Sequence, residues 1–211
     1  MNNTTTFLMG IIGIGLFLAT SIIGGLLIDN YAASRQLISE VYAIDTEYGL
    51  VLRSIGIIPS GILLTLFTFG AHQKFPQSKQ TKIGFYGLGL FYGIATILVG
   101  IFPCDSGCNK ALIDPSVAQL IHNVAGFLTY TCVPICLTLI GMGLKKTNGY
   151  NRFASLSILT GFGSILLVFL FFSMQKDEYI GLYQRMPEGV FAAWLIYCSY
   201  IIKNQVHEKH I

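Results

Sequence analysis

The sequence predicts an all-α fold: a polytopic membrane protein built as a bundle of six transmembrane helices, with both termini cytoplasmic. Three observations carry this. Six apolar stretches run approximately over 7–28, 50–71, 83–102, 115–141, 153–174 and 187–202. A bilayer core about 30 Å thick needs roughly 20 apolar residues per helix, which the first five stretches supply and the sixth falls short of. The composition is 53% hydrophobic and only 11% charged, with a mean hydropathy of +0.65, where a soluble domain carries about a quarter charged residues.

The third observation is the sorting of charge between the stretches. With the amino terminus inside, the inner loops hold Lys74, Lys79, Lys82, Lys145, Lys146, Arg152, Lys203 and Lys209 against one acid, Glu208. The outer loops hold Arg35, Arg53, Lys110, Lys176 and Arg185, and nearly all the acids: Asp29, Glu40, Asp45, Glu47, Asp105, Asp114, Asp177, Glu178 and Glu188. Basic residues near helix ends resist translocation, which sets this orientation in the cell inner membrane. The inner basic loops are short and unpatterned, and read as topology signals and contacts to anionic lipid, with no nucleic-acid partner. Loops of about 10 to 20 residues use up the rest of the chain, so 1–211 reads as a single membrane domain.

Each element has its own signals. The first stretch has no positive segment before it and stays apolar to Ile28, so it reads as a retained span and not a cleaved signal. The second begins at Arg53, with Gly56 and Ser60 on its face, and contains Pro59; the fourth contains Pro134. Each proline removes a backbone donor and predicts a kink. The third carries Gly84, Gly87, Gly89 and Gly93, and the fifth pairs Ser157 with Gly161 and Thr160 with Ser164. Small residues at four-residue spacing let helix backbones approach closely in lipid. Before the fourth, Asp114-Pro115 reads as an N-cap followed by proline at the first helical position. The sixth begins at Pro187, which puts Glu188 in a first turn where the helix dipole favours negative charge.

The polar chemistry gathers at the outer end. Along the fourth helix Ser116, Gln119, His122, Asn123, Gly126, Thr129 and Tyr130 fall within about 140° of one face. His122 sits roughly 10 Å along the helix axis from the outer mouth, a depth at which ionisable groups normally face the bundle interior or a water-filled cavity. The bland alternative is a neutral histidine satisfied by a neighbouring polar group. Arg53, Glu188 and Asp29 belong to the same level, each also readable as an interfacial anchor. Cys132, Cys136 and Cys198 lie within spans and read as packing residues. Cys104 and Cys108, on an outer turn, predict a disulfide. The alternative is a zinc site built from Cys104, Cys108, Asp105 and His122, but the spacing fits no familiar zinc pattern, so no metal is assigned.

Taken in order, Leu37-Ile38-Ser39-Glu40, then Val99 through Cys108 with its F-P-x-D turn, then His122-Asn123 with Gly126, and Gly181-Leu182-Tyr183-Gln184-Arg185 before Trp194, resemble the prokaryotic six-helix membrane family known as the domain of unknown function numbered 998. A looser likeness, in helix count and layout, is to eukaryotic six-helix proteins of glycosylphosphatidylinositol-lipid remodelling and autophagy modulation. The first resemblance implies a compact inner-membrane bundle and marks Ser39, Glu40, Asp105, His122 and Arg185 as positions of interest. It supplies no established reaction.

Several functions are disfavoured. No mid-span lysine could hold retinal, no second deep histidine could ligate haem, and no glycine loop could cradle a nucleotide. No cofactor is assigned, and no inverted repeat with paired broken segments suggests a transporter. Two readings stay open. One is a lipid-binding or assembly protein whose polar layer recognises a head group through Arg53, Arg185, Glu188, Ser39, Glu40 and Asn123. The other is an enzyme acting on a lipid head group, with His122 as acid or base, Asp105 orienting it and an arginine holding phosphate. Membrane lipids are the expected partners of both.

Overall fold

The computed structural model describes residues 1–205; Glu208 and Lys209 lie outside the described residues. Six long helices follow one another: α1 (Asn3–Leu26), α2 (Gly49–His72), α3 (Lys79–Ile101), α4 (Val117–Leu144), α5 (Asn151–Ser173) and α6 (Ile180–Asn204). The first five are long and apolar enough to cross a membrane. No strand occurs among the described residues, as befits a chain whose backbone groups must be satisfied within each segment in lipid.

The helices alternate in direction. One end of the bundle carries the start of α1, the end of α6 and the short connections 73–78 and 145–150; there Asn3 Nδ2 donates to Ile202 O at 3.0 Å. The other, the loop end, carries the connections 27–48, 102–116 and 174–179. Among the described residues, the two charge sets read from the sequence fall toward these opposite ends.

Lipid is as apolar as leucine, so close packing and buried hydrogen bonds hold the helices together. Glycine supplies the closeness. A Cβ on Gly61 would lie 2.8 Å from Gly93 O, and one on Gly161 2.8 Å from Pro134 O, so α2 meets α3 and α4 meets α5 backbone to backbone. Toward the end opposite the loop end, Phe75, Phe85, Phe153 and Trp194 form a stacked and tilted aromatic cluster. Trp194 Nε1 in its midst donates to Ser157 Oγ at 2.9 Å.

Two helix signals resolve differently from expectation, and a third gains detail. Immediately before Pro59, residues Arg53–Ile57 of α2 widen into a π-helical turn, where the proline has no N–H to offer the carbonyl four residues back. A second π turn, Gly89–Ile94, interrupts α3. The sixth helix starts at Ile180, not Pro187. Glu188 therefore sits about 12 Å along the axis from its start, beyond the first-turn dipole. Finally, α4 is capped by Ser116, whose Oγ accepts Gln119 N–H at 3.1 Å, while Asp114 lies upstream with φ 44° and caps nothing.

Candidate functional site

The connection 27–48 is the element that shapes the loop end. Its Ile38–Tyr42 segment is a short 3₁₀ turn, and Val41, Tyr42 and Ala43 are buried against the tops of the helices. Such burial requires every backbone group to find a partner. Gln184 Oε1 on α6 accepts Ile38 N–H at 2.7 Å, and Ile44 N–H donates to Cys104 O at 3.0 Å. Arg53 donates to Tyr42 O at 2.8 Å from one flank. From the other flank Arg185 donates to Gln36 O at 2.7 Å and to the Tyr31 hydroxyl at 2.5 Å. Glu40 Oε1 accepts Leu37 N–H at 2.8 Å and meets Lys110 Nζ at 2.7 Å. The two arginines and Glu40 thus pin the connection in place, and none of the three lines a cavity described below.

The next connection is drawn in by the Cys104–Cys108 disulfide. Ser39 Oγ lies 3.2 Å from Cys108 Sγ, to which it donates. With their sulfurs bonded to each other, the cysteines offer no thiolates to a metal, and no group of three metal-ligating side chains occurs among the described residues. Asp105 turns to α4: Oδ1 accepts the Ser116 hydroxyl at 2.5 Å and Oδ2 the Ser116 N–H at 3.0 Å. Its own N–H donates to Gln119 Oε1 at 2.7 Å, and Gln119 Nε2 donates to Asn123 Oδ1 at 2.8 Å. These bonds with Ser116, its hydroxyl first, hold the Asp105 carboxyl below its ordinary value.

Under this cover lie two cavities. The vestibule, about 250 Å³, is bounded by Lys110 and Asn109 above and by Phe127, Phe171 and Phe172 of α4 and α5 below. The inner chamber, about 60 Å³, is set among α1, α3, α4 and α6 and has room for one small group. Ser39, His122, Gly126, Tyr130 and Gln184 line both. At the chamber's floor Glu188, 6% exposed, accepts the Tyr92 hydroxyl at 2.9 Å, with Tyr130 and Gln184 also lining the chamber. Tyr92 lies inside the π turn of α3, a local widening often found where a side chain serves a site.

The structure brings His122, Ser39 and Glu188 to one chamber and Asn123 to the vestibule edge. It does not bring Asp105 to His122. The His122 Nδ1 lies 3.0 Å from Phe102 O; since a carbonyl only accepts, Nδ1 carries the proton and Nε2 of the neutral ring is an acceptor. Asp29 is exposed and lines neither cavity. The polar chamber residues not singled out from the sequence are Tyr42, Tyr92, Thr96 and Gln184. Gln184 sat within the quoted G-L-Y-Q-R segment but carried no charge, and Tyr92 stood among glycines that read as packing.

Six antiparallel helices, five of them fit to span a bilayer, define a multi-pass membrane protein. Residues 11–199 match the family described as Protein of unknown function (DUF998), and the chain belongs to that family. No curated protein and no solved structure matches it, and the likeness to lipid-remodelling proteins gains no support from these comparisons.

Proposed function

We propose that this protein binds the head group of a membrane lipid or similar amphiphile in the vestibule and chamber at its loop end, on the extracytoplasmic side of the inner membrane. The supporting observation is the make-up of the vestibule wall. Its lower part is apolar and reaches the lipid-facing surface at Phe127, which is 56% exposed and stacks on Phe172 at 5.6 Å. Its upper part is polar, with Asn123, Gln175 and Lys110. An acyl chain would lie along the phenylalanines while the head group enters at His122 and Gly126. The sidedness rests on the charge asymmetry of the loops.

An enzymatic role has less support. Ser39 directs its hydroxyl to the disulfide, Asp105 is committed to Ser116, and the arginines hold the backbone of the first connection. Among the described residues no serine, threonine or cysteine of the chamber is hydrogen-bonded to a base; the hydroxyl set on a carboxylate there is that of Tyr92, on Glu188. The test is lipid analysis at two levels. Gently purified protein should retain a stoichiometric amphiphile that His122→Leu loses, and a deletion strain should show the same lipid classes whether complemented with wild type or His122→Ala. A head-group or acyl-chain product made only by wild type would establish the enzyme instead; absence of any retained amphiphile would remove the binding reading.

A further inference from the structure

The geometry points to a primary ammonium group as the part of the ligand that the inner chamber takes, an inference that rests on the amphiphile-binding reading above and names its chemistry. The chamber is lined by one carboxyl, Glu188, and by no lysine or arginine. Glu188 has no ion-pair partner among the described residues, the ion pairs there being Arg35–Glu178 and Lys110–Glu40. A carboxyl held this deep among membrane helices is costly unless a partner is supplied. Both basic residues that sequence reading would have offered for a phosphate are turned to carbonyl oxygens of the first connection.

The remaining polar groups fit the same ligand. An ammonium offers three donors and no acceptor. Around it the chamber presents the Glu188 carboxyl, the phenol oxygens of Tyr92 and Tyr130, and the acceptor nitrogen of His122, whose Nδ1–H is spent on Phe102 O. The faces of aromatic rings attract a cation further, and the volume of about 60 Å³ admits a terminal amine. An anionic group would meet a carboxyl with no cation to offset it.

Four probes test this on the purified full-length protein in maltoside micelles, read as the shift in thermal midpoint: dodecylammonium, dodecanol, dodecyl phosphate and methylammonium. Two variants accompany wild type. Glu188→Gln keeps a hydrogen-bonding group of the same size and removes the charge. Gly126→Leu obstructs the passage between the two cavities at a position where a Cβ meets nothing within 4 Å, so the bundle itself is left intact. The expected result is saturable stabilisation by dodecylammonium, at least tenfold tighter than by dodecanol, abolished in Gly126→Leu and reduced to the dodecanol level in Glu188→Gln. Equal or tighter binding of dodecyl phosphate or dodecanol that Gly126→Leu still blocks would overturn the ammonium and leave amphiphile binding standing. Methylammonium binding as tightly as dodecylammonium would keep the ammonium and remove the lipid. If no probe shifts wild type beyond Gly126→Leu, both inferences fall. Should Glu188→Gln not fold, the comparison of the probes on wild type and Gly126→Leu decides the matter alone.

Discussion

Asp105 grips Ser116 with both carboxylate oxygens, the hydroxyl at 2.5 Å and the N–H at 3.0 Å, and so ties the disulfide turn to the start of α4. Because these bonds depress its folded-state pKa below the ordinary 3.8, the stabilisation they give is fully present above the unfolded value. It is lost as pH falls through the lower folded value. The difference in thermal midpoint between wild type and Asp105→Asn should therefore be constant from about pH 7 to 5 and shrink below about pH 4. A difference that stays level down to pH 3 would show that the carboxylate charge does not matter to the latch.

The same geometry predicts that Asp105 and His122 act separately. They share no hydrogen bond, and each has its own partner, Ser116 in one case and Phe102 O in the other. In a double-mutant cycle, Asp105→Asn and His122→Ala should change stability additively, within about 0.5 kcal/mol. A coupling beyond about 1 kcal/mol would put both in one network.

Thiol counting checks the loop disulfide. Protein denatured without reductant should show three reactive thiols, Cys132, Cys136 and Cys198, and two more after reduction. Five at the outset would mean that the turn is held by something else.

The orientation can be read by labelling. A cysteine placed at Glu47, exposed at the loop end, should react with an impermeant maleimide in intact cells, while one at Asn148 should react only after permeabilisation. The reverse pattern would turn the chamber toward the cytoplasm.

Within the bundle, Ser157 accepts from the Trp194 indole and donates to Phe153 O at 2.8 Å. Ser157→Ala leaves that buried indole N–H without its acceptor and should cost about 0.5–2 kcal/mol by reversible unfolding in detergent. A neutral outcome would mean that water or another acceptor replaces it.

What could be read from the sequence divides by physical cause. Hydropathy and charge sorting fix how often the chain crosses the membrane, so the first five helices and the grouping of loops were legible. The polar stripe of α4 was legible too, since helical periodicity alone puts His122 and Tyr130 on one face. Partner choice was not. Arg53 and Arg185 looked like anion clamps because residue type says nothing about which carbonyl lies opposite. The start of α6 was missed because Arg185 and Pro187 break an apolar run, although Arg185 lies against Gln36 O and Gly181 O, and the helix runs on through it. Tyr92 was hidden for the opposite reason: its glycine-rich surroundings had a sufficient explanation in packing.

The bond from Ile38 N–H to Gln184 joins positions 146 residues apart, and Leu182 N–H donates to Ser34 O at 2.9 Å across a similar span. During synthesis the first connection therefore emerges long before the segment that secures it, and Glu188 arrives only with that same last helix. The cover is not fully secured, and the floor of the chamber is missing, until α6 has inserted. A chain stalled after α5 would be a five-helix membrane protein whose first connection is still held by Arg53, Cys104 and Lys110, so α6 insertion is the step that closes the chamber.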